Sequence, residues 1–256
     1  MSLKFHEISE ASHRILNPFS IDKLQLLGAI CRPGRNLRML DLASGNGELL
    51  CQWSSQYGIS GLGVDLSSVF IEKARRRARE LNVAKRVQFE FVDAAEFAQR
   101  SSPVFNIVSC IGATWIGGGL SGTLSLMKRN LVNASGTLLV GEAFWLEPPP
   151  AEAEIELSGS RGMFASLDGT LDRFESAGLE LVEMLIASHD DWDRYEASQW
   201  AEGRAWLENN EGHPDAADFR DWISSNQLRY LKFGRRYFGW GVFVLRIQGT
   251  DSEFGR

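Results

Sequence analysis

The run Met39 to Glu48, read as MLDLASGNGE, carries an apolar strand through an acidic residue into a tight glycine turn. Gly45 and Gly47 let the backbone approach a ligand with no Cβ in the way, and a helix starting just beyond them leaves free N–H groups aimed at the same spot. About twenty residues after the turn, the second apolar run GLGVD ends in Asp65, where a carboxylate is placed to accept hydrogen bonds from both hydroxyls of a ribose. A G-x-G turn alone is weak evidence. Turn and second acid together point to a nucleoside-bearing ligand. A nicotinamide dinucleotide fits poorly, because its fingerprint asks for a third glycine where this chain has Leu50, and Asp41 would repel a pyrophosphate.

Other clusters carry less chemistry. His189, Asp190, Asp191 and Asp193 suggest a hard metal, but consecutive residues at a strand-to-helix junction seldom converge on one ion, and Asp191 suits a helix cap. No metal is expected. Arg75, Arg76, Arg77 and Arg79 flank the apolar positions Phe70, Ala74, Ala78 and Leu81, so they read as the solvated face of one helix. The net charge of -6 gives no general attraction for nucleic acid. Three cysteines without metal-ligand spacing suit a reducing compartment, and neither a secretory leader nor a membrane-length apolar run is legible, so the expectation is cytoplasmic.

The elements that must position these residues alternate strictly. Ser20 caps a helix carrying Leu24, Leu27 and Ile30 that Pro33 and Gly34 stop, completing an N-terminal helical segment over residues 1–35. Strands follow at the glycine turn, at 61–64, at 87–92 ending by Asp93, at 104–110, at 136–143, at 179–187 and at 237–247, with Ser67 capping the arginine-rich helix and further helices at 120–131, 151–157 and 167–177. Alternation of strand and helix implies an α/β sheet with right-handed crossovers and helices on both faces. With 256 residues and 44% hydrophobic content a single domain is expected. An aromatic-rich insertion over about 188–234 is longer than a crossover needs, and reads as one or two helices over the sheet edge whose rings line a pocket.

Taken together, HRILNPF, LDLASGNGE, GVDLS, DAA at Asp93 to Ala95, GATWIGGG, DRYEA and FGWGVF identify the chain as resembling the class I S-adenosylmethionine-dependent methyltransferases, and within them the YjhP-like bacterial group, over essentially its whole length. The resemblance implies a Rossmann-like doubly wound sheet of seven strands in the order 3-2-1-4-5-7-6, with strand seven antiparallel and helical lid insertions. It implies S-adenosylmethionine as cofactor. Asp41 and the Ala43, Gly45 and Gly47 turn would hold the methionine part, Asp65 with Leu66 the ribose, Asp93 with the Ala94 N–H the adenine edge, and Cys110 would offer a backbone carbonyl to the adenine amino group. The family pattern opens its turn with glycine where this chain has Ala43, a residue that tolerates the turn if φ stays negative.

Methyl transfer from a sulfonium is an in-line displacement on an already activated electrophile, so the protein mainly aligns and dehydrates. An acceptor with a protic nucleophile also wants a base. Glu142, near the end of strand five, is either that base or a structural carboxylate, and His13 is either a base on a segment folding over the cofactor or a surface histidine. Asn17, Trp115, Trp145, Trp192 and Tyr195 are the candidate acceptor contacts, with Trp145 expected in the loop after strand five. The sequence CIGATW after strand four lacks the Asn/Asp-Pro-Pro-aromatic loop of base-amine methylation, so small molecules are the expected acceptors, without nucleic-acid or membrane partners. A binding protein that holds S-adenosylmethionine or S-adenosylhomocysteine without transferring anything is the alternative.

Overall fold

The computed structural model describes residues 2–100 and 105–248. Their frame is one seven-stranded sheet. In chain order the elements are α1 (Leu3–Ser9), α2 (Ile21–Cys31), β1 (Arg38–Leu42), α3 (Glu48–Tyr57), β2 (Ser60–Asp65), α4 (Ser68–Glu80), β3 (Val87–Phe91), α5 (Ala94–Arg100), β4 (Ile107–Ile111), α6 (Leu120–Arg129), β5 (Thr137–Trp145), α7 (Ala151–Ser158), α8 (Leu167–Ser176), β6 (Leu179–Ile186), α9 (His189–Asn209), α10 (Ala216–Arg229) and β7 (Phe238–Ile247). The strands lie in the order β3-β2-β1-β4-β5-β7-β6. The first five are parallel, and β7 runs antiparallel between β5 and β6.

Strand periodicity divides the core. Met39 packs with Leu27, Leu50, Trp53 and Ile71 on one face, while its neighbour Leu40 and then Leu42 pack with Leu124, Met127 and Phe174 on the other. Both faces of β1 are therefore dry, as its near-continuous apolar run requires. Chain order reverses direction on either side of β1, so β1 and β4 part company at their carboxyl ends. That crevice is the position an open α/β sheet offers a ligand.

Ser20 and Ser67 cap α2 and α4 as read from the sequence, accepting from the Lys23 and Phe70 N–H groups. Three expectations need correction. Trp145 is the last residue of β5, not a loop residue, because antiparallel pairing with Phe238 carries the strand further than its apolar pattern does. The arginines of α4 are not all solvated: Arg77 turns in to make a two-pronged ion pair with the buried Glu48 at 2.7 and 2.8 Å, which joins α4 to the start of α3. The fourth strand begins at Ile107, and Val104, where the sequence starts it, lies outside the described residues.

The insertion between β6 and β7 is two long helices, a π-helical turn, Tyr230–Gly234, and a three-residue helical turn, Arg235–Tyr237. It has its own small core of Leu207, Ala216, Phe219 and Ile223, to which Phe5 and Ile8 of α1 add. The N-terminal helix is thus part of the same cap as the insertion. Gly203 is needed at the crossing, since a Cβ there would stand 2.5 Å from Ile223 Cδ1.

Candidate functional site

The crevice is built from backbone. After β1 the chain reverses through Ala43, Gly45 and Gly47, with φ of 54°, 52° and 68°, and Ser44 N–H closes the turn on the Val64 carbonyl at 2.9 Å. Positive φ at Ala43 overturns the expectation of a negative one. The turn's geometry wins over the Cβ preference, at a cost of about 1–2 kcal/mol. Gly47 is the N-cap of α3, and a Cβ on it would lie 2.5 Å from Phe89 Cζ. It shapes the turn from behind and is not on the cavity wall.

Two acids flank this turn. Asp65 accepts from the Gly45 N–H on one oxygen and the Ser67 N–H on the other, both at 2.8 Å. Burial raises its pKa, against those two backbone hydrogen bonds. Asp41, buried at the tip of β1, accepts from Ser109 Oγ at 2.5 Å. Burial pushes its carboxyl up to about 7, opposed by Ser109 and reinforced by the charge on Asp65. Asp93 caps α5 by accepting from the Glu96 N–H at 2.8 Å.

A cavity of about 170 Å³ opens among them, with Asp41, Ala43, Gly45, Asp65, Leu66, Asp93 and Ala94 on its walls. The segment 13–19 covers it. Leu16 lies against Gly45, Asn17 donates its side-chain N–H to the Ile111 carbonyl at 3.3 Å, and Asn46 donates to the His13 carbonyl at 2.6 Å. Gly112 (φ 78°) is required under the cover, because a Cβ would sit 1.9 Å from Asn17 Oδ1. Trp115 stands at the mouth, 62% exposed. Ser44 and Asn46 both line the cavity, and Ser44 Oγ and Asn46 Oδ1 are buried with no hydrogen-bond partner among the described residues, so the turn holds hydrogen-bonding capacity that these residues leave unused. Sequence reasoning missed both. They lie inside the glycine motif, but only the fold shows that nothing among the described residues satisfies them.

Other expected site residues fall elsewhere. Cys110 is fully buried between Leu42 and Val140, and Ile111 takes the wall position expected of it. Glu142 is buried and accepts from Thr114 Oγ1 at 2.6 Å, and burial pushes it up to about 7 against that hydrogen bond. It lines neither this cavity nor the one beside His13, and braces the turn that carries Trp115. Trp145 stacks on Phe238 at 4.9 Å, and Trp192 stacks on the same ring at 6.1 Å. Both go into an aromatic cluster, because β5 and β7 pair to bring Trp145 beside Phe238.

His13 and Tyr195 meet on the far side of the covering segment. There a second cavity of about 670 Å³ shares Arg14, Ile15, Asn17, Phe19 and Glu48 with the first. His13 Nδ1 is hydrogen-bonded to the fully buried Glu10, and Nε2 lies 2.6 Å from Ser198 Oγ. Tyr195 donates its hydroxyl to Glu10 at 2.6 Å, and burial with the Glu10 charge keeps the phenol neutral. In the acidic run, Asp191 forms the capping box of α9 with Ser188 and pairs with Lys23, and Asp193 pairs with Arg235. Among the described residues no group of three or more His, Cys, Asp and Glu side chains comes together to hold a metal.

Comparison with known proteins bears on this geometry. A family model described as a methyltransferase domain matches residues 33–209. The protein YjhP of Escherichia coli (strain K12) is 41% identical over 240 residues, 93% of this chain and 96% of YjhP. A SAM-dependent methyltransferase from Geobacter sulfurreducens, solved in complex with S-adenosyl-L-homocysteine, has a TM-score of 0.90 at 41% identity, covering 96% of this chain and 98% of that one. Its counterpart from Thiobacillus denitrificans, solved in the same complex, has a TM-score of 0.89 at 41% identity, covering 97% and 99%.

Proposed function

The chain belongs to the S-adenosylmethionine-dependent class I methyltransferases, and from that premise we propose that it binds the cofactor in the smaller cavity and passes the methyl group to a small-molecule acceptor by in-line displacement. The observation that carries the reading is the pairing of two strand-tip carboxylates, Asp41 and Asp65, on the wall of one cavity, beside a turn whose Ser44 Oγ and Asn46 Oδ1 have no hydrogen-bond partner among the described residues. Carboxylates suit a ligand that carries an ammonium and ribose hydroxyls. They do not suit a phosphate.

In this reading Asp41 faces the amino-acid end, Asp65 the ribose, and Asp93 with the Ala94 N–H the base. The cofactor supplies a positively charged sulfonium, whose methyl needs alignment more than activation. Leu16 and Asn17 exclude water from above, and Trp115 stands exposed at the mouth. Of the two candidate bases, His13 lines the second cavity, while Glu142 lines neither and is held by Thr114. The free state of all three cysteines and the acidic surface suit a cytoplasmic enzyme of metabolism.

The test is calorimetric titration with S-adenosylhomocysteine, followed by incubation with methyl-labelled cofactor and a metabolite extract. Binding with a labelled small product is the expected result. Tight binding with no product from a broad panel would demote the protein to a cofactor-binding module.

A further inference from the structure

We propose that the larger cavity is the acceptor site and that it takes a small molecule carrying a protic nucleophile and an anionic group, its proton leaving through Ser198 and His13 while Glu10 holds the ring. The proposal rests on the cofactor reading above and specifies the substrate class.

The proton path is already assembled. Glu10 has no exposed surface, and its two oxygens are divided between His13 Nδ1 and the Tyr195 hydroxyl. A buried carboxylate accepting from Nδ1 fixes the ring with Nε2 as the acceptor, and it steadies the imidazolium once the ring is charged. Nε2 faces Ser198 Oγ at 2.6 Å, and Ser198 stands on the cavity wall. When the ring is charged, Ser198 is equally well placed, because its hydroxyl then donates to the Arg194 carbonyl at 2.7 Å while accepting from Nε2. The relay is satisfied in both states.

Charges on the same wall name the other end of the ligand. Glu48 is neutralised by Arg77 and Asp191 by Lys23, which leaves Asp190 as the acid on this wall without an ion pair among the described residues. Arg14 has only an exposed contact with Glu80 at 3.5 Å, and Arg194 makes no ion pair among the described residues, even with Asp190 one turn back on α9. Two guanidinium groups without strong partners on a cavity that adjoins the cofactor pocket suit a carboxylate or a phosphate.

In the step itself the acceptor's N or O lone pair forms the bond to the methyl carbon as the carbon–sulfur pair returns to sulfur, leaving S-adenosylhomocysteine. The acceptor's proton passes to Ser198 Oγ while Ser198 gives its own to His13 Nε2. One proton is released overall, and it leaves the imidazolium to solvent. Ser198 touches the reacting group, His13 acts through Ser198, and Glu10 is a positioning residue that orients His13.

Binding is tested first, on protein saturated with S-adenosylhomocysteine. Calorimetry with inorganic phosphate and with succinate should show weak saturable binding, and Arg194→Gln should weaken it about tenfold. Turnover then compares amines and alcohols bearing a carboxylate with the same compounds as primary amides. The acids should lead by about tenfold in kcat/KM, and Arg194→Gln should erase the lead. Ser198→Ala and Glu10→Gln should each lower kcat by about 100-fold while acceptor KM and S-adenosylhomocysteine affinity stay put. Normal S-adenosylhomocysteine binding with no response to phosphate or succinate, or amides that match the acids, or an unchanged kcat in Ser198→Ala, would overturn the assignment and leave the cofactor reading standing. Loss of S-adenosylhomocysteine binding in the unaltered protein would overturn both.

Discussion

The sheet tips and the cap build their halves of the site by different means. At the tips, Asp65 is held by backbone N–H groups of Gly45 and Ser67, and Ser44 closes on a backbone carbonyl across the neighbouring strand. In the cap, the working contacts join side chains far apart in sequence. His13 meets Ser198, and Glu10 meets Tyr195, each across 185 residues, and Lys23 meets Asp191 across 168. Backbone contacts persist whatever the cap does. Side-chain contacts across the whole chain exist only once the cap has docked, so changes at the tips should be read in cofactor affinity, and changes in the cap in docking and turnover.

The largest effect expected from this contrast is at Asp65. Asp65→Ala removes charge-assisted hydrogen bonds worth about 1.5–3 kcal/mol and frees the Gly45 N–H, so S-adenosylhomocysteine affinity should fall about tenfold to 100-fold by calorimetry. An unchanged affinity would mean that the tips do not grip the ligand.

Asp41 gives the next effect, in pH. Its folded carboxyl is pushed up to about 7, whereas in the unfolded chain it titrates near the usual value of about 4. Between those values the folded state holds a proton that the unfolded state has released, so the unliganded protein should lose stability as pH rises from about 4 to 7 and level off above. Glu142, also pushed up to about 7, acts in the same direction. An ammonium placed beside Asp41 favours the carboxylate, so S-adenosylhomocysteine affinity should rise toward pH 7, by at most about tenfold per pH unit. Asp41→Asn should flatten that profile. A pH-independent affinity in the unaltered protein would take the ammonium away from Asp41.

On the cap side, Lys23 ties α2 to the start of α9 through Asp191 and to the Ile186 carbonyl at 2.7 Å. Its ammonium is mostly but not wholly buried, so Lys23→Met should cost only about 1 kcal/mol in urea denaturation. Cofactor affinity should be untouched. A large loss of S-adenosylhomocysteine binding in this variant would erase the distinction between the two halves.

The same distinction explains what the sequence discloses. Strands and caps are local, so β1, β2 and β3, the capping serines and the residues of the glycine turn are legible from periodicity and spacing. The antiparallel partner that lengthens β5 to Trp145 is remote, and so is Glu48, the partner that draws Arg77 out of solvent. Helix α1 carries no strong periodicity of its own. Its apolar residues Phe5 and Ile8 gain their meaning from Phe219, at the other end of the chain. Glu10 and Ser198 have no motif at all, and their relationship to His13 is purely tertiary.

The smallest effect tests Ala43, where the resemblance leads to the expectation of a glycine. Ala43 sits at φ 54°, where an L-residue is strained by about 1–2 kcal/mol, and Ala43→Gly relieves that strain. Against it stand the extra freedom of glycine in the unfolded chain, about 0.4–1 kcal/mol, and the loss of a half-buried methyl that packs beneath the cavity. The terms nearly cancel, leaving a gain of at most about 0.5 kcal/mol in urea denaturation. Because the Ser44 N–H to Val64 bond holds the turn in either case, S-adenosylhomocysteine affinity should not change. A loss of more than about 1 kcal/mol would mean that Ala43 is not strained in the left-handed region, since only an unstrained alanine is worth that much more than glycine.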